Sequence, residues 1–299
     1  MRSEQRRVIA ATTIGTAIEW YDYFLYAAVA GLVFNQVMFG PLGPAAATIV
    51  SFLTVGLSFL FRPLGAVLAG HFGDRLGRRG VLMVTLFTMG TATALIGLLP
   101  TYETAGWFAP AALVLLRILQ GTSAGGEWGS AVLLAVEHAP TDKRGLYGAG
   151  PQVGVPAGLL LSSGVLALMT MIAPGDAFLQ WGWRVPFLLS IGLTFLGWWI
   201  RTGVEESPVV EQMREVGAKN PVGSLFKRHA GLVVAAALIF AANGTVGYMT
   251  TGGYIQNYAT DPAGLAIERG DILWAVTASA ATWLLSLIHI SEPTRQEAI

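Results

Sequence analysis

The sequence predicts an all-α integral membrane protein, and three observations predict it. Charged residues make up 12% of the 299 residues and apolar ones 54%, whereas a soluble domain carries about 25% charged residues. Apolar runs long enough to cross a bilayer, roughly 20 residues each, follow one another along the chain. Basic residues fall in every second connection between those runs and almost nowhere else. The net charge is zero, and no basic stripe points to nucleic acid. The chain has no cysteine, which removes disulfide and thiolate chemistry. His71, His138, His229 and His289 show no metal-ligand spacing, and no nucleophile–base pair stands out. Neither a metal, a cofactor nor an enzymatic centre is therefore expected.

The first span is expected over about 8–38. Its leading "MRSEQRRVIAATTIG" has the basic start of a signal peptide. The apolar run outlasts a signal core, however, and lacks a small-residue cleavage site, so it reads as a retained span. Further spans follow at about 46–70, 80–99, 110–135, 146–173, 184–202, 231–256 and 271–287. Pro63, Pro151, Pro156 and Gly244 fall inside them; in a membrane, neighbouring helices can satisfy the backbone groups that such residues free. Arg2, Arg6 and Arg7 precede the first span, and Arg75, Arg78 and Arg79 follow the second. Lys143 and Arg144 follow the fourth; Arg201, Arg214, Lys219, Lys227 and Arg228 occupy the connection after the sixth. The other loops hold only Arg184 and Arg269, near their ends. Basic residues favour the cytoplasmic side. The N-terminus is thus expected in the cytoplasm, with the chain threaded through the plasma (inner) membrane. The organisation predicted is a six-span bundle over 1–202, a cytoplasmic linker over 203–230, and a second set of spans over 231–287. Within the linker, "EESPVVEQMREV" reads as a short surface helix starting near Ser207-Pro208.

Between the second and third spans lies "GHFGDRLGRRG", with Gly70, Gly73, Asp74, Arg75, Gly77, Arg78 and Arg79. This stretch resembles the signature loop of the major facilitator superfamily. "RILQGTSAGGEWGSAVLLAVEHAPTDKRGLYGA" resembles that superfamily's fourth span and following loop, and "GTAIEWYDYFLYA" is similar to its metabolite:proton symporter branch. "RPLGA" and "WRVPFLLS" look like the same branch. The resemblance runs from about residue 8 to 285 and implies a major facilitator fold, of which this chain holds the N-terminal six-helix bundle and the first two helices of the second. It further implies that the loop is a latch holding an outward-open state, in which the arginines reach carboxylates such as Glu137. Glycines at 70, 73 and 77 permit a tight turn there. The alternative is that the arginines serve only as topology signals.

Five charged residues fall inside spans: Glu19, Asp22, Arg62, Arg117 and Glu127. Each costs about 2.5–3.5 kcal/mol at mid-helix, so each needs a partner or a watery cavity. At about 1.5 Å per residue, Asp22 lies about 21 Å from the inner edge and Arg117 about 10 Å from the outer edge. In a core about 30 Å thick those are the same level. Arg62 and Glu127 both fall near the inner third. Two ion pairs at two depths are thus expected, Asp22–Arg117 and Arg62–Glu127, with Glu19 near the midplane. Glu19 and Asp22 are three apart on one helical face, a pair able to bind a proton in a low-dielectric cavity. The plainer reading is that the charges only neutralise one another and fix packing. Arg117 and Gln120, in "RILQG", resemble the superfamily's span-four motif, which implies a part in proton coupling.

Gly121, Gly125 and Gly129 in span four, and Gly150, Gly154 and Gly158 in span five, read as ladders for close helix contact. Span seven is polar, and its Asn243, Tyr248 and Gln256 are candidates to face substrate, although ordinary interhelical hydrogen bonds would explain them equally well. The final "LIHISEPTRQEAI" breaks the hydrophobic pattern, and residues 288–299 resemble a translated sequencing-adapter artefact. The expected function is proton-coupled symport of a small organic acid or zwitterion by alternating access, powered by the proton gradient. Its partners would be that solute, protons and the lipid bilayer. Alternatives are a sugar or drug carrier on the same fold, or a membrane receptor or scaffold. The chain is expected to be a fragment, because the fold has twelve spans in two bundles with the site between them.

Overall fold

The computed structural model describes residues 3–76, 78–137, 139–140, 144–202, 228–239 and 253–290, and all regular structure among them is helical. Helix α1 spans Ser3–Val29 and continues through a π-helical turn, Ala30–Phe34, into Asn35–Val37. It is followed by α2 (Pro44–Leu76), α3 (Arg78–Leu98), α4 (Phe108–Glu137) and α5 (Arg144–Ile172). A second π-helical turn, Phe178–Gly182, leads into α6 (Arg184–Thr202). Beyond the linker come α7 (Arg228–Ile239), α8 (Gly253–Thr260) and α9 (Arg269–Ile290).

Among the described residues, five helices are long and apolar enough to cross a membrane: Pro44–Phe72, Gly80–Leu98, Phe108–Glu127, Tyr147–Ile172 and Phe178–Thr202. Their outward faces carry Leu53, Leu60, Leu115, Met171 and Trp199, all largely exposed. In water such a surface would be an extended apolar patch; in lipid it is the solvated face. Helix α1 differs, because Val8, Thr16, Leu25, Tyr26 and Val33 along its length are all buried. The other helices wrap it, which is how a helix bearing two carboxylates is kept from lipid.

Two of the expected glycine seams are used. Cβ atoms on Gly121 or Gly125 of α4 would run into the backbone of Ser58 or Arg62 on α2. On α5, Gly154 and Gly158 also lie against the backbone of α1, at Thr13–Ala17 and at Ala17–Tyr21, where an added Cβ would come within 2.7 Å. Small residues here let the helix backbones meet. Away from the N-terminal face, Phe34, Trp183 and Phe187 pack edge-on or tilted with centroids 5.3–6.2 Å apart. That aromatic block ties the π-helical turn of α1 to the start of α6.

Three expectations are corrected. Gly70 and Gly73 are helical, since α2 runs on to Leu76 and α3 starts at Arg78. The expected turn is therefore not spread over three glycines. Arg201 is not in the connection after span six but in the last turn of α6, where it is buried. Arg228 likewise begins a helix rather than lying in the linker. The side chains of Asp74, Arg75, Arg78, Arg79 and Glu137 fall outside the described residues, as do Gly77, the linker helix expected near Ser207-Pro208, Asn243, Tyr248 and residues 291–299.

Candidate functional site

Spans one, two, three, four and six bring polar side chains together at two levels. At the deeper level, Asp22 of α1 is 2% exposed. Its Oδ1 accepts a hydrogen bond from Ser190 Oγ of α6 at 2.7 Å, and its Oδ2 accepts one from Thr93 Oγ1 of α3 at 2.8 Å. Thr93 Oγ1 in turn accepts from Gln120 Nε2 of α4 at 2.6 Å. Gln120 Oε1 accepts from Arg117 Nη1 at 2.7 Å. The guanidinium also lies 3.7 Å over the Tyr26 ring and donates through Nε to Thr54 O at 3.3 Å. A hydrogen-bonded path, Asp22–Thr93–Gln120–Arg117, thus replaces the simple Asp22–Arg117 pairing that depth alone suggested.

Neighbouring this path is a cavity of about 10 Å³, near the lower limit for one water molecule. Glu19, Asp22, Arg62, Arg117 and Gln120 all line it, together with Ser58 and Tyr23. Glu19 and Asp22 therefore do share one face of α1. Glu19 is buried, and neither of its oxygens has a hydrogen-bond partner; Arg62 Nη2 stands 3.7 Å from Oε1. The Arg62 guanidinium also sits 4.5 Å over the Phe59 ring. It is an ion pair held at arm's length.

Nearer the N-terminal face, Glu127 is 1% exposed and is paired by Arg201, not by Arg62. Arg201 Nη1 donates to Leu82 O at 2.7 Å, and Thr85 Oγ1 donates to Glu127 Oε2 at 3.1 Å. Gly15 of α1 leaves room for the guanidinium, whose Nη2 occupies the space a Cβ would take. One arginine thus joins α1, α3, α4 and α6. The Arg62–Glu127 pair expected from depth is corrected by an arginine reaching in from the last turn of α6.

Gln256 of α8 is buried, its Oε1 unbonded, and it is not among the residues lining the cavity. Its neighbour Asn257 donates to Gly31 O of α1 at 2.9 Å, close to where Gly253 meets Ala27. On α9, Thr277 Oγ1 bonds Ser163 Oγ of α5 at 3.0 Å. Thr93 and Ser190 are not among the site residues expected from the sequence, and Arg201 is expected there only as a topology signal. Among the described residues, no group of three potential metal ligands occurs.

The profile of the "Sugar (and other) transporter" family matches residues 8–250. The shikimate transporter of Escherichia coli (strain K12) is 46% identical over 270 residues, covering 89% of this chain and 61% of that protein. The glycine betaine/proline/ectoine/pipecolic acid transporter of Dickeya dadantii (strain 3937) is 36% identical over 265 residues, 85% of this chain and 52% of that protein. A solved D-xylose-proton symporter superposes with a TM-score of 0.73 at 19% identity, covering 95% of this chain and 67% of that one. The chain thus spans between half and two thirds of the length of these curated relatives, and its fold is the major facilitator fold.

Proposed function

Because the chain belongs to the sugar (and other) transporter family, we propose that it carries the N-terminal half of the site of a proton-coupled symporter for a small organic acid or zwitterion. Asp22 is the proton carrier, with Glu19 as the second candidate, and Arg117 is the coupling partner or the anchor for a substrate carboxylate. The observation that carries this reading is Asp22 itself, a buried carboxylate held by two hydroxyls and joined to Arg117 through Thr93 and Gln120. A structural carboxylate would be expected to sit on a cation, as Glu127 does. The substrate class rests on the relatives: shikimate is a carboxylate, and betaine and proline are zwitterions with one. A guanidinium recognises that group through paired N–H donors. The xylose carrier shares only the fold, so a sugar remains the second reading. Alternating access would rock two bundles about the site. The N-terminus would face the cytoplasm of the inner membrane, and Asp74, Arg75 and their neighbours would form the latch. No cofactor enters; the proton gradient drives uptake.

The test is uptake of labelled shikimate, glycine betaine and D-xylose by the full-length protein in proteoliposomes, with and without an inward proton gradient. Gradient-driven uptake of an acid or betaine, lost in Asp22→Asn, is expected. Asp22→Asn with undiminished uptake at every pH and membrane potential would rule out its role.

A further inference from the structure

The hydroxyl of Thr93 has a second acceptor within reach. Besides Asp22 Oδ2 at 2.8 Å, its Oγ1 lies 3.0 Å from the Met89 carbonyl one turn back on α3. A hydroxyl carries one proton and two lone pairs, so it can donate to only one of these at a time. Ser190 has no such choice: its Oγ bonds Asp22 alone among the described residues. The two oxygens of Asp22 are therefore unequal.

We propose that Thr93 is a hydroxyl switch that accommodates a proton on Asp22 and passes the change to Arg117. With Asp22 ionised, Thr93 donates to Oδ2 and accepts from Gln120. When a proton from the aqueous phase binds Oδ2, an O–H bond forms there and the carboxyl becomes a donor. The Thr93 hydroxyl then turns from Oδ2 to Met89 O, and its oxygen accepts from both Asp22 and Gln120. The hydroxyl protons of Asp22 and Thr93 each have an acceptor in both states, and only hydrogens have moved. Protonation at Oδ1 would instead set the new O–H against the Ser190 hydroxyl, which has no second acceptor within hydrogen-bond distance among the described residues. The β-branched Thr93 side chain is stiff about its first torsion, which keeps both acceptors within reach.

The consequence travels along the path. While Thr93 donates to a carboxylate, its oxygen is polarised into a stronger acceptor for Gln120. After the switch that oxygen serves two donors and faces a neutral group, so its hold on Gln120, and through Gln120 on Arg117 Nη1, is weaker. Among the described residues, the charged groups facing Asp22 are Arg117 from α4, Arg62 from α2 and Glu19 from its own helix, while α3 and α6 present the two hydroxyls. Tyr21 is engaged elsewhere, donating to Pro186 O at 2.8 Å.

The inference rests on Asp22 being the proton carrier, and the experiment separates the two. The pH profile of gradient-driven uptake is measured for the full-length protein and for Asp22→Asn, Thr93→Val and Thr93→Ser, with thermal unfolding as the check on folding. Thr93→Val, folded, should lose about tenfold in uptake, the size of one hydrogen bond to a charged group, and its pH profile should flatten. Thr93→Ser should keep the wild-type profile. A wild-type profile in Thr93→Val while Asp22→Asn is inactive overturns the switch and leaves the carrier standing. Full activity in Asp22→Asn overturns both. Should Thr93→Val misfold, Thr93→Ala takes the same readout, and misfolding of both makes Thr93 a packing residue and overturns the switch.

Discussion

Asp22 and Glu127 are two carboxylates equally hidden from solvent, and the bundle treats them in opposite ways. Glu127 meets a guanidinium that is itself tied to a backbone carbonyl of α3. Asp22 meets hydroxyls. A guanidinium is always charged and fixes its partner in the ionised state. A hydroxyl can donate or accept and so tolerates either state of the carboxyl. The difference separates a bolt from a group that can change its charge in place.

The strongest way to break this comparison is Arg201→Met, which leaves Glu127 buried without its cation. A stability loss of about 3–5 kcal/mol is expected for an orphaned buried charge, read from unfolding in detergent. A loss below about 1 kcal/mol, the size of one ordinary hydrogen bond, would remove the distinction. Next is Gly121→Ala, beside Gln120, where the new methyl meets the Ser58 backbone. Overpacking of this kind costs about 1–3 kcal/mol, and the shift of α4 should also lower gradient-driven uptake. Gly164→Ala, whose methyl would make an ordinary 3.8 Å contact with Thr277, is the control. The smallest effect is expected for Arg62→Gln. Its side chain is 21% exposed and 3.7 Å from Glu19, and glutamine still offers a donor there, so about 1 kcal/mol should be lost, the low end of the cost of leaving a buried acceptor unpaired. A cost equal to that of Arg201→Met would make the Glu19 pair a second bolt.

Much of the fold was legible because lipid imposes a simple rule: long apolar runs become helices, and basic residues mark alternate ends. Depth was legible for the same reason, and it put Asp22 and Arg117 on one level. What depth cannot supply is which helices are neighbours. Arg62 and Glu127 were paired because their heights match, yet α6 inserts Arg201 against Glu127. Arg201 was hidden by its position at a span end, where a basic residue ordinarily marks topology. Thr93 and Ser190 carry a usable signal in the sequence. Each lies about 9 Å from the edge opposite the N-terminal face, counted at 1.5 Å per residue, the same level as Asp22. Polar residues at a buried carboxylate's height are worth collecting even when they bear no charge.

The enclosure of α1 also bears on how the protein is made. A ribosome releases this helix before α4, α5 and α6, yet it is the helix least suited to stand alone in lipid. Each of its two central carboxylates adds to the difficulty of insertion. The glycines that receive it belong to α5, and the serine that caps Asp22 belongs to α6. The earliest segment must therefore wait for the latest ones of its bundle, sheltered by the translocation machinery or by α2 and α3, before its buried groups find their partners. A nascent chain halted before α5 would leave its first helix without a seat.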